Sequence, residues 1–144
     1  MVILLRLLFA HILSDFFFQS DKICEGKQGK TNRKHVYQLL HSFIHASMAY
    51  LFVGDWSNWI IPSVIFISHL LMDYVKVEYM KKNAASFLMD QLVHIIVIVV
   101  LWLSLSDHGE NFCQEFFSTE WNSLNIWAVV IAYLLVLKPT SVFL

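Results

Sequence analysis

The chain is built largely of apolar blocks, each about as long as a bilayer is thick, and four of them carry a pair of polar residues spaced four apart. The pairs are His11 and Asp15, His41 and His45, His69 and Asp73, and Asp90 and His94. On a helix this spacing stacks two side chains one turn apart on one face. A histidine or carboxylate inside an apolar helix is costly and is kept for a reason. The pairs use five of the seven histidines and three of the eleven acidic residues. One pair carries little weight, but four on successive blocks point to a shared site.

Hydrophobic residues make up 58% of the 144, charged residues only 15%, and the mean hydropathy is +0.60. Soluble domains average about 45–50% apolar and about 25% charged, and about 20 apolar residues span a bilayer as a helix. The expected fold is therefore all-α: a polytopic membrane protein with about five transmembrane helices, four of them clustered around a polar site. The spans fall at about residues 2–19, 36–53, 60–77, 85–106 and 124–137. Four glycines and two prolines leave no room for a flexible linker, so residues 1–144 read as a single integral membrane domain. The two cysteines form no C-x-x-C and give neither a disulfide framework nor a thiolate zinc site. Asp15 interrupts the apolar N-terminus and no small-residue cleavage site follows, so this stretch reads as a true span.

Between the first two blocks, Lys22, Lys27, Lys30, Arg33 and Lys34 supply half of the ten basic residues, and Gly26 and Gly29 break the run, which suggests a surface loop. Trp56 and Trp59 flank a turn where an aromatic belt would lie. The connector 107–122 is acidic and has no Lys or Arg; its Phe112, Phe116, Phe117 and Trp121 suit a short interfacial helix or a plain loop equally. Nine of the ten basic residues fall in the first connector, at the end of the third block and beyond it, or at Lys138, with Arg6 the exception. The positive-inside rule then puts the N-terminus outside and the C-terminus in the cytoplasm, in a multi-pass protein of the inner (cytoplasmic) membrane. Cys24 and Cys113 fall on opposite sides in this topology.

This topology brings all four pairs to the cytoplasmic end. Asp15, His41, Asp73 and Asp90 lie roughly 5–9 Å deep at 1.5 Å per residue, and His11, His45, His69 and His94 lie one turn deeper. Helix bundles build metal sites from facing side chains of this kind. Imidazole with carboxylate suits zinc, with manganese or iron as alternatives, better than magnesium or calcium. Eight groups exceed the four of one tetrahedral zinc. Either two ions lie about 3.5–4 Å apart, or one is bound and the spare groups orient ligands or serve as a base. Gln19 and Gln91 would act as outer-layer or substrate donors. Against this stands a plainer reading, in which the pairs are hydrogen-bonding glue between helices.

The motifs His11-x3-Asp15-x3-Gln19, His41-x3-His45, His69-x3-Asp73-x2-Lys76 and Asp90-Gln91-x2-His94 resemble those of a family of bacterial and phage membrane proteins known only as a domain of unknown function. The resemblance covers about residues 5–106; the fifth block and C-terminus are short beside the longer members. More distantly, the chain is similar to inner-membrane proteins labelled metal-dependent hydrolases, and that likeness implies metal-assisted hydrolysis.

The expected function is a membrane-embedded metal-dependent hydrolase acting at the cytoplasmic face on a lipid or lipid-linked (phospho)ester. Asp15, Asp73 or Asp90 would bridge metals or take a proton, and Lys76 would stabilise an anionic oxygen or simply snorkel to the interface. The basic connector would attract anionic lipid or phosphate. A non-haem di-iron oxidase is the alternative enzyme, although the His-x-x-His-His boxes of membrane desaturases are absent. A haem b protein would leave the aspartates without a role. A non-enzymatic metal-binding, conducting or interaction protein is the other class, but the outer halves of the blocks are almost wholly apolar, which argues against a through-path. A homo-oligomer or a partner protein is compatible with the sequence. Nucleic-acid binding has no support beyond one basic connector.

Overall fold

The computed structural model describes residues 2–29, 31–81 and 83–105; the expected fifth span, the acidic connector and Cys113 lie outside them. All regular structure among the described residues is helical. Helix α1 (Val2–Leu13) runs into a π-helical turn, Ser14–Phe18. Then follow α2 (Asp21–Lys27), α3 (Arg33–Val53), α4 (Ile60–Tyr79) and α5 (Ala84–Leu105). The long helices start and stop within a few residues of the apolar blocks.

Each long helix buries one narrow stripe. On α4 it is Ile61, Ile65, His69 and Asp73, four apart throughout. On α5 it is Asp90, His94, Ile98, Leu101 and Trp102, and on α3 it passes from Gln38, His41 and His45 to Ala49 and Val53. Every stripe is apolar at one end and polar at the other. The apolar ends meet in a single cluster of Leu7, Ala49, Val53, Ile61, Ile65, Ile98, Leu101 and Trp102. The helices are antiparallel in sequence order, so joining the apolar ends also brings together the His and Asp of all four. Arg6, the exception to the charge pattern, donates to the Val53 carbonyl at 3.0 Å and so satisfies one of the carbonyls left open at the end of α3. Gly54 closes that helix in the left-handed conformation (φ 74°), with its N–H on Tyr50 O.

The outward faces are apolar, with Phe43, Ile67, Leu71, Ile96 and Val100 exposed. Large exposed apolar side chains around a polar interior are the arrangement a bilayer solvates. By length and composition, α4 and α5 can each cross a membrane, and α1 with α2 forms a third candidate bent by 90°. Helix α3 falls short of that test, although the sequence led us to expect a span there. The stretch 33–45 carries Arg33, Lys34, His35, Gln38, His41 and His45, which lower the average hydropathy of α3 whichever way they point.

The connector expected to be a surface loop is a second departure. Residues 21–27 form α2, which folds back on α3 and buries Ile23 and Lys27. The chain turns at Gln19 and Ser20, with Ser20 accepting from the N–H groups of Ile23 and Cys24. Gly26 permits the approach: a Cβ there would stand 2.4 Å from the Tyr37 ring. The basic residues disguised a segment with one apolar and one buried charged anchor. Gly26→Ala is accordingly expected to cost about 1–3 kcal/mol through overpacking, read as a lowered thermal midpoint in detergent. Adding Tyr37→Ala should restore part of the loss; no recovery would mean that this contact does not set the fit of α2.

Candidate metal centre

Four imidazoles fill the centre of the polar half. The rings of His69 and His94 stack at 3.9 Å with an 11° tilt, and His45 lies 3.8 Å from His69 on its other flank. His11 closes the group, 5.3 Å from His45, 5.4 Å from His69 and 5.3 Å from His94 between centroids. All four are at most 4% exposed. His41 joins from the outer layer, 4.5 Å from His45. The two-layer order expected from the spacing is thus how the side chains lie, with His41 linking the layers.

Asp15 is the hub. The π-helical turn carries it, and Ser14 steadies that turn by donating to Ala10 O at 2.8 Å; such turns recur at functional sites. Its Oδ1 lies 3.0 Å from His45 Nε2 and 3.3 Å from His41 Nε2. Its Oδ2 accepts from Gln91 Nε2 at 2.8 Å and is 3.6 Å from His11 Nε2. No lysine or arginine pairs with it among the described residues. Histidine and amide partners alone therefore surround this carboxylate.

The inner layer is short of hydrogens. The amide nitrogen of Gln91 serves Asp15, so its oxygen faces His11 Nε2 at 3.2 Å and that nitrogen must carry the hydrogen. His69 Nδ1 faces the Ile65 carbonyl at 3.0 Å and must carry one as well. In neutral imidazoles the remaining nitrogens, His11 Nδ1 and His69 Nε2, hold lone pairs, and they face each other at 3.3 Å. Two opposed lone pairs repel, and either a proton shared between them or a metal ion against both removes the repulsion. At a metal–nitrogen distance of about 2.0–2.1 Å, two ligands of a tetrahedral ion stand about 3.3–3.4 Å apart, which matches the observed gap. The Nδ1–H of His69 on a backbone carbonyl is also the outer contact that orients metal-binding histidines. Two overlapping groups have ligand atoms within 4.8 Å of one another: His11, His45 and His69, and Asp15, His41 and His45. These buried clusters can hold a metal ion.

The other two carboxylates are already paired. Lys27 Nζ contacts both oxygens of Asp73, at 3.0 and 3.1 Å, with both side chains under 10% exposed. Gln19, its amide turned to satisfy both neighbours, accepts from Lys27 Nζ at 2.6 Å and donates to Asp15 O at 3.3 Å. Gln38 reaches the backbone carbonyl of Asp73 at 3.5 Å, and His35 lies 3.0 Å from Gln38. Lys76 is paired with Asp90 Oδ2 and lies 5.8 Å from the Phe87 ring centre. Asp90 Oδ1 stands 3.3 Å from His94 Nε2 but is misaligned, and it and the Nδ1 atoms of His94 and His41 are buried without a hydrogen bond. The candidates Asp15, His11, His41, His45 and His69 therefore converge in the donor groups. Asp73, Asp90 and His94 stand beside them, and Gln91 bridges His11 and Asp15.

Lys27 and Gln38 were missed from sequence. Gln38 had a legible signal, since it sits three and seven residues before His41 and His45 on their face of α3. Lys27 had none, because it arrives by the fold of α2. A cavity of about 540 Å3 opens beside the donor groups, walled by Asp15, His41, Asp73, Lys76, Phe87 and Asp90 among others. That volume is typical of small-molecule sites.

These contacts separate two kinds of aspartate. Asp15→Asn and His69→Ala should each weaken zinc binding by more than the roughly 10–100-fold typical of outer partners, measured by competition with a chelating dye. Asp73→Ala should leave zinc affinity within that range yet cost about 3–5 kcal/mol of stability, because Lys27 would be left buried and unpaired. Loss of zinc in Asp73→Ala with an unchanged melt would reverse the assignment.

Neither the curated proteins nor the solved structures contain a match to this chain. A family model does match, over residues 3–124, and so covers every residue of the centre. The chain belongs to the family described as Protein of unknown function (DUF3307).

Proposed function

We propose that this protein is a membrane-embedded metal-dependent hydrolase acting on a lipid or lipid-linked ester at the cytoplasmic face. The observation that carries the reading is the 3.3 Å approach of His11 Nδ1 to His69 Nε2, the two nitrogens left without a hydrogen when both rings are neutral, beside a carboxylate with no lysine or arginine partner among the described residues. Imidazole and carboxylate donors favour zinc, with manganese or iron as alternatives. Such an ion supplies a hydroxide-like nucleophile near neutral pH. Asp15 balances the ion's charge and holds His41 and His45 in position, while Gln91 fixes the tautomer of His11. The cavity gives substrate a route to the donor groups from one end of the bundle. At the other end the apolar cluster fills the space between helices, which argues against a conducting path.

In this reading α4 and α5 cross the membrane, α1 and α2 form a broken span, and α3 crosses with its polar stripe turned inward. The exposed Lys22 and Arg33 lie on the same side as the site and favour the cytoplasm. Irregular backbone at membrane depth is tolerated where it lines a cavity, which suits the π-helical turn and the bend at Gln19.

The test uses full-length protein stripped with chelator, reloaded with zinc, manganese or iron, and assayed against phospholipids and lipid phosphates. One or two equivalents of metal, with hydrolysis lost in His69→Ala, is the expected result. Iron accompanied by a visible absorption band would favour the di-iron oxidase, and folded protein that takes up no metal would sink the enzyme reading.

A further inference from the structure

The cavity wall carries more charge than the donor groups need. Counted at formal charge among the described residues, its four carboxylates (Asp15, Asp21, Asp73 and Asp90) stand against three ammonium groups on Lys27, Lys76 and Lys81. One negative charge is left over, and a divalent ion would turn it into one positive charge. An anion is thus repelled from the empty cavity and attracted to the loaded one.

The lysines are not equivalent. Lys27 is locked: its side chain is 8% exposed, both oxygens of Asp73 hold it, and Gln19 takes a further hydrogen. Lys76 is shared: its side chain is 33% exposed and it touches one oxygen of Asp90. An ammonium group has three hydrogens, so Lys76 can keep Asp90 and still donate into the cavity. Ser86 lies on the same wall, as does Asn83, which accepts the Ser86 N–H at 2.8 Å and keeps its amide hydrogens. Several donors around one point suit an oxyanion with several oxygens better than a lone carboxylate. The volume leaves room for more than the anion, and Phe16, Val77, Met80 and Phe87 line the rest with apolar surface.

We propose that the cavity binds a phosphate-type head group, that Lys76 is the residue that receives it, and that binding requires the metal to be in place first. This rests on the metal centre proposed above and adds the substrate class and the order of binding.

The experiment measures retention of radiolabelled inorganic phosphate by the full chain in detergent, with metal content determined on the same samples. Zinc-loaded protein should bind phosphate at least about tenfold more tightly than stripped protein. Lys76→Gln should lose about tenfold or more, as expected for a hydrogen bond to a charged group, and Lys76→Arg should recover most of it. Asp90→Asn should tighten binding by releasing Lys76, an effect that a merely structural role for the pair would not produce. Lys34→Gln, which removes a half-buried lysine paired with Glu78 outside the cavity, should change nothing. Competition by short-chain phosphatidic acid but not by phosphatidylcholine would identify the source as a lipid phosphate; competition by neither would identify it as free phosphate. Equal binding with and without metal, or binding indifferent to both Lys76→Gln and Asp90→Asn, overturns the proposal. Metal uptake without any phosphate retention overturns it alone, whereas failure to take up metal removes the centre itself.

Discussion

The buried carboxylate of Asp15 is the constraint to which the rest of the bundle answers. A charge taken out of water costs several kcal/mol unless partners replace the lost solvent. Here the partners come from two other helices: His41 and His45 on α3, and Gln91 on α5. These contacts fix the rotation of three helices about their axes, because a small turn of any of them would withdraw a donor. His69 lies against His11, with 3.3 Å between the facing ring nitrogens, and brings α4 to the same region. One anionic group thereby sets the register of the helices it bonds at the polar end.

Two further carboxylates reach the same region and are treated differently. Asp73 and Asp90 are matched by Lys27 and Lys76, so each forms a nearly neutral pair. Only Asp15 is left to histidines. Residues of one type thus acquire different surroundings from whether a lysine arrives beside them. Pairing also draws the boundary of the site, with imidazoles and Asp15 at its centre and the two ion pairs toward the cavity.

The opposite half of the bundle makes this economy possible. Its cluster of apolar residues joins the same four helices. A rigid apolar clasp lets the polar half keep buried atoms without hydrogen bonds, such as the Nδ1 atoms of His41 and His94, without collapsing around them. The break in α1 does the complementary work at the cavity. The π-helical turn and the bend at Gln19 send α2 back along α3, and so bring in the cation that Asp73 requires.

The sequence alone determined the long helices and the faces they bury. Apolar blocks of bilayer length and polar pairs four apart are local, periodic signals, and helix geometry converts them directly into stripes. That His11, His41, His45, His69 and Asp15 should meet was legible for the same reason, since antiparallel helices with polar groups at matching ends have one way to bury them together. The tertiary structure decided what depends on distant residues. The role of Lys27 follows from a helix of seven residues whose packing turns on Gly26 meeting Tyr37. Whether an aspartate joins the donor groups depends on a lysine 14 or 46 positions away in the chain. Neither leaves a periodic trace, because ion pairing reads proximity in space and the sequence records only order.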